Sequence, residues 1–171
     1  YLVGKSDTKS DNFDVLLFAS RDITKIKIPS NIKIISSYAF HYCKNLSKVE
    51  IPNDSNLETI GEYSFSDSNI EQIYIPSNVT TIDYSAFYFC TKLSKVEFPT
   101  NSKLQIIDDS LFEYTNIKKI YIPSNVLMIC ESSFYKCYKL SNVEIPTDSK
   151  LQTIENFAFS RTNIKQIYLI T

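Results

Sequence analysis

An apolar residue followed by proline recurs six times along the chain. The copies are Ile28-Pro29, Ile51-Pro52, Ile75-Pro76, Phe98-Pro99, Ile122-Pro123 and Ile145-Pro146, spaced by 23, 24, 23, 24 and 23 residues. A degenerate seventh copy, Leu169-Ile170, follows after a further 24. Two kinds of unit therefore alternate, and the higher-order period is 47 residues. The shorter reads IPSNIKIISSYAFHYCKNLSKVE from Ile28, and the longer reads IPNDSNLETIGEYSFSDSNIEQIY from Ile51. Periods in this range mark architectures in which one unit buries its apolar edge only against its neighbours.

Inside each unit the apolar positions keep step. Leu46-x-x-Val49-x-Ile51 recurs as Ile70-x-x-Ile73-x-Ile75, Leu93-x-x-Val96-x-Phe98, Ile117-x-x-Ile120-x-Ile122, Leu140-x-x-Val143-x-Ile145 and Ile164-x-x-Ile167-x-Leu169. Three positions beyond the last apolar residue stands Asn or Asp: Asn31, Asp54, Asn78, Asn101, Asn125 and Asp148. This is the L-x-x-L-x-L-x-x-N core of a leucine-rich repeat. Its alternating half predicts a short strand, which the following Pro ends by removing a backbone donor. The Asn or Asp then suits a turn, its side chain bonding nearby backbone amides. Ile35, Ile60, Ile82, Ile107, Ile129 and Ile154 each precede a Phe by five residues: Phe40, Phe65, Phe87, Phe112, Phe134 and Phe159. With Phe18 these predict a seven-rung Phe column, its rungs about 5 Å apart.

The fold class that follows is an α/β-type repeat: a right-handed, strand-dominated leucine-rich-repeat solenoid. A parallel sheet lies on one face, with short strands or short helical turns on the other. One domain spans residues 1–171. Within it, 1–27 form a degenerate N-terminal repeat or cap, 28–168 form six repeats, and 169–171 begin a further one. The apolar run with Phe13, Val15, Leu16 and Leu17 suits the cap, because a solenoid end exposes its core unless covered. A start at Tyr1 without Met suggests a fragment or processed product, and the motif broken at Thr171 suggests continuation or contact with another molecule.

Composition removes several function classes. The 171 residues carry 18 basic and 19 acidic side chains, a net charge of −1, which argues against a nucleic-acid surface or a polybasic membrane patch. No apolar run is long enough to span a bilayer. Two glycines, Gly4 and Gly61, cannot build a phosphate-cradling loop. The single histidine, His41, is the only residue on which a nucleophile–His pair could be built, with Cys43 beside it, and its place predicts an exposed, incidental imidazole. No catalytic residue, cofactor or metal is assigned, and the chain reads as no enzyme. Cys43, Cys90 and Cys137 lie 47 residues apart, two coils or roughly 10 Å, beyond the ~7 Å reach of a disulfide, which predicts free buried thiols. Cys130 follows an inward Ile and is expected to face outward or sideways. A zinc site from Cys130, Cys137, His41 and Cys43 would draw ligands from distant coils. Asp108-Asp109 reads as a solvated turn.

The outward side of the strands is the most informative surface. One row runs Lys27, Glu50, Tyr74, Glu97, Tyr121, Glu144, Tyr168; beside it run Lys25, Lys48, Gln72, Lys95, Lys119, Asn142, Gln166. Tyrosine joins apolar area to a polar tip and is enriched at interfaces. Glu50, Tyr74, Glu97, Tyr121, Glu144 and Tyr168, with Lys48, Lys95 and Lys119, are therefore the candidate partner-binding residues. The alternative is that Tyr beside Glu and Lys is simply a well-packed sheet surface.

The unit Val/Ile-x-Ile/Phe-Pro followed by Ala-Phe-x-x-Cys-x-x-Leu resembles the BspA-like (Treponema pallidum type) leucine-rich repeats. Ala39-Phe40, Ala86-Phe87 and Ala158-Phe159 carry the likeness, with Cys43, Cys90 and Cys137. It spans about residues 28–168, although the longer units lack the Cys. The resemblance implies an extracellular or cell-surface protein that adheres to a protein ligand on a host or neighbouring cell, with no nucleic acid and no membrane insertion of this segment. A structural spacer or end-to-end self-associating scaffold is the alternative.

Overall fold

The structure is a computed structural model that describes residues 1–7 and 12–170. Each coil contributes two strands. The L-x-x-V-x-I segments form β3 (Lys25–Lys27), β5 (Lys48–Glu50), β7 (Gln72–Tyr74), β9 (Lys95–Glu97), β11 (Lys119–Tyr121), β13 (Asn142–Pro146) and β15 (Gln166–Ile170). The Ile that precedes each Phe closes a two-residue strand: β4 (Ile34–Ile35), β6 (Thr59–Ile60), β8 (Thr81–Ile82), β10 (Ile106–Ile107), β12 (Met128–Ile129) and β14 (Thr153–Ile154). At the N-terminus stand β1 (Leu2–Gly4) and β2 (Val15–Phe18).

The first series makes the sheets β3-β5-β7-β9 and β11-β13-β15; the second makes β1-β2-β4-β6-β8 and β10-β12-β14. All pairings are parallel except β1 with β2, which closes the N-terminal edge of the second series. Both series break between the same two coils. The ladder also follows the unit lengths. Strands 23 residues apart pair over three residues, as β3–β5, β7–β9 and β11–β13 do. Strands 24 apart pair over one residue at β5–β7 and lack a ladder at β9–β11; only β13–β15 pairs fully. An extra residue must be absorbed between strands that would otherwise superpose.

No helix occurs among the described residues. In its place lies an arc around each Phe with two left-handed residues, two before and two after it, such as Tyr38 and Tyr42 around Phe40 (both φ 61°). Twelve residues adopt this conformation, with φ from 49° to 61°, and none is glycine. Each costs about 1–2 kcal/mol against the ordinary helical or extended backbone. Hydrogen bonding offsets this. Alternate amides close turns within the coil, Ala39 to Ser36 O and Cys43 to Phe40 O, while those between reach the next coil, Tyr38 to Glu62 O, Phe40 to Ser64 O and Tyr42 to Ser66 O. In the arcs around Phe40 to Phe134 the amides are thus paired, as burial demands.

Phe40, Phe65, Phe87, Phe112 and Phe134 are fully buried, and with Phe159 they stack ring on ring at 4.8 to 5.5 Å. Such pairs contribute about 0.5–1.5 kcal/mol each beyond area burial. Phe18 is not the seventh rung. Leu16 pairs with Ile35 and fills the Ile file, and Ala19 donates to Ala39 O as Phe40 does to Ser64 O. The buried Ala19 stands in the Phe place, while Phe18 is 46% exposed beneath the Arg21 guanidinium. The worn first copy has slipped relative to its alignment with later units, because it must end the stack rather than continue it. Arg21 completes that end by donating to Ala39 O. Buried Asp14 also serves the cap, accepting from the Ser6 amide and hydroxyl and pairing with Lys33.

The turn asparagines act differently from the expected pattern. Asn78 and Asn125 donate to the carbonyls of Ser55 and Ser102 in the preceding coil. In the longer units it is Ser55, Ser102 and Ser149 that accept from the amide two residues on. Gly61 is needed for close approach: a Cβ there would lie 2.6 Å from the Ser37 backbone nitrogen.

Candidate functional site

The strand-face residues form rows within each of the two sheets, interrupted between β9 and β11. Lys27 lies opposite Glu50, Tyr74 opposite Glu97, and Glu144 between Tyr121 and Tyr168. Their charges are largely self-neutralised. Lys48 pairs with Glu50 at 2.5 Å and Lys95 with Glu97 at 2.7 Å along one strand, while Lys119 reaches Glu144 on the next at 2.6 Å. Lys48 holds the Glu50 carboxyl below its ordinary range by hydrogen bond and charge. Tyr74 and Tyr121 are half-buried along the sheet; Tyr168, on the last coil, is 42% exposed. An open hollow of about 370 Å³ lies where the β9–β11 ladder fails, with Val96 and Phe98 among its lining and Lys95, Glu97, Lys119 and Tyr121 beside them.

The arc carries a second surface that the strand pattern does not reveal. Tyr38 stacks on Tyr63 at 5.4 Å, and Tyr63 meets Tyr84 edge-on. Further along, Tyr88, Phe89 and Tyr114 are in mutual contact, and Lys136 lies over Tyr114 and Tyr135. Glu62 accepts from the Tyr38 hydroxyl, and its hydrogen bond with Tyr84 pushes that phenol up to about 12. The signal was present: Tyr or Phe recurs two residues either side of the core Phe at Tyr38, Tyr42, Tyr63, Phe89, Tyr114 and Phe157. It escapes a reading by strand alternation because the arc is neither strand nor helix.

His41 is not a free surface imidazole. It is half-buried between Tyr38 and Tyr42, and its Nδ1 has no hydrogen-bond partner among the described residues. All four cysteines are free and buried. Cys43, Cys90 and Cys137 alternate along one column with Ser68, Thr115 and Thr162. Cys90 donates to Phe65 O and Cys137 to Phe112 O, each at 3.0 Å. Burial pushes the Cys90 thiol up to about 12 and Cys137 up to about 11, which leaves them unreactive. Cys130, expected outward or sideways, is only 8% exposed. Its Sγ lies with carboxylate oxygens of the half-buried Asp108 and exposed Asp109, all within 4.8 Å of one another.

Stacked parallel strands, a Phe spine and an Asn-bearing turn define a leucine-rich-repeat solenoid. The chain belongs to the BspA-type leucine-rich-repeat family: six copies of the BspA type Leucine rich repeat region match residues 13–140 and 105–171. A leucine-rich repeat protein from Bacteroides ovatus is 29% identical, with a TM-score of 0.67 over 85% of this chain and 43% of its own. The T. pallidum leucine-rich repeat protein shares the fold at 20% identity, TM-score 0.69, covering 86% of this chain and 77% of that one. The pneumococcal vaccine antigen PcpA does so at 23% identity, TM-score 0.53, covering 85% and 50%. This chain therefore spans about half the length of the Bacteroides and pneumococcal proteins. No curated protein matches it by sequence. No helix among the described residues is long and apolar enough to cross a membrane.

Proposed function

We propose that this protein-interaction scaffold serves as a non-enzymatic cell-surface adhesin, docking a host or neighbouring-cell protein on the outward face of its first strand series. The observation that carries this reading is the β9–β11 hollow: an apolar floor framed by Lys95, Glu97, Lys119 and Tyr121 at a failed ladder. Apolar centres with polar rims and tyrosine are the usual anatomy of a protein interface. The surface location rests on the family.

The test is binding of the labelled chain to intact epithelial cells before and after protease shaving of their surface. Binding should disappear on shaving, and in a folded variant with Tyr74→Ser, Tyr121→Ser and Tyr168→Ser combined. Unchanged binding by the folded triple variant rejects the sheet face as the docking surface.

A second reading, self-assembly, is favoured by the last coil. Phe157 is 62% exposed and Leu169 73%. The contact would join the last coils of two copies. A mass that stays monomeric in light scattering up to high concentration argues against it.

A further inference from the structure

The residue after the inward Ile of the second strand series forms a file of its own: Ser36, Gly61, Asp83, Asp108, Cys130 and Glu155. Its first two members are small. From the third coil on, every member is a metal-ligand type. Ile107 pairs with Ile129, so Asp108 and Cys130 follow in register on adjacent coils. Asp109 turns toward the same place, its amide donating to Asp108 Oδ1 at 2.8 Å.

Two carboxylates alone would be a solvated turn. The thiol is the independent observation. It is nine-tenths buried, it makes no hydrogen bond among the described residues, and it is aimed at the carboxylates. The other three cysteines all have hydrogen-bond partners. Nor does any lysine or arginine among the described residues form an ion pair with Asp83, Asp108, Asp109 or Glu155.

The geometry points to a divalent metal site of the zinc type, with Cys130, Asp108 and Asp109 as ligands. A thiolate selects zinc over calcium or magnesium, and zinc also accepts carboxylate oxygens as ligands. Bond lengths of about 2.0–2.3 Å require the three donors to draw in by small side-chain rotations, leaving the fourth position to water. Binding expels the thiol proton. The ion would tie the β10 coil to the β12 coil, next to the break in both strand series.

The test uses the full chain, reduced and freed of metal, titrated with cobalt(II) and then zinc(II). One equivalent of cobalt should bind with a thiolate-to-cobalt charge-transfer band, which zinc displaces. Cys130→Ala should abolish the band, and Asp109→Asn, at an exposed position, should weaken binding at least about tenfold. Absence of the band in the wild-type chain, or its survival in Cys130→Ala, overturns the site. Should Cys130→Ala fail to fold, unchanged affinity in Asp109→Asn does so.

Discussion

The strand face and the Phe arc are built on the same coils yet solve different problems. On the strand face the backbone is relaxed and the ladder is intermittent, and the outward side chains neutralise one another in pairs such as Lys95–Glu97. On the arc the backbone is strained at two residues per coil, the inter-coil bonds continue past the point where both ladders fail, and the side chains join through ring faces. Across that break Ser85 donates to Asp109 O, Phe87 to Leu111 O and Phe89 to Glu113 O. Across the break the stack is carried by the arc and its Phe spine.

The largest effect that can break this comparison is in the spine. Phe112→Ala should cost about 3–5 kcal/mol in denaturant unfolding. Hydrogen exchange should accelerate at Phe87 and Phe89 before the β11 amides; equal acceleration on both faces would show that the arc does not hold the stack. Next is Gly61→Ala, which drives a methyl into the Ser37 backbone and should cost about 1–3 kcal/mol by overpacking. A smaller effect should change sign between the faces. Ser132→Gly, at φ 56°, should stabilise by up to about 1 kcal/mol, whereas Lys119→Gly in β11 should destabilise by about 0.5–1 kcal/mol. Two losses in thermal unfolding would remove the claim of stored strain. Lys119→Ala, which deletes an exposed pair, should cost less than about 1 kcal/mol, and that cost should shrink in high salt.

The cap offers a test by pH. Hydrogen bonds from Ser6 hold the Asp14 carboxyl below its ordinary value. A depressed native value stabilises the fold fully above the unfolded carboxylate range, about 3.9, and that contribution is lost as pH falls through the native value. Acid unfolding of Asp14→Asn should therefore show a weaker pH dependence than the parent. An identical acid limb in both would detach Asp14 from the cap.

What could be read from sequence is what periodicity controls. Six copies of one pattern identify both strand series, the Phe stack and the inward cysteines, because each inward position sees the same surroundings in every coil. Where the surroundings change, the pattern misleads. Phe18 aligns with Phe65 but sits at the end of the stack, where no preceding ring exists to meet it, and Ala19 replaces it. Cys130 is expected outward or sideways because it follows an inward Ile, yet it is 8% exposed. The strand-face residues were placed correctly in rows, but their pairing into salt bridges depends on side-chain reach across and along strands. The arc aromatics went unread because a chain of left-handed residues without glycine has no propensity signature.

The break in both ladders also has a mechanical consequence. There the strand ladders are interrupted on two sides, while the arc bonds and two turn bonds, Lys103 to Ser77 O and Asn116 to Leu93 O, still cross. Bending should concentrate there, opening the solenoid like a book between β9 and β11 instead of flexing it evenly along its length.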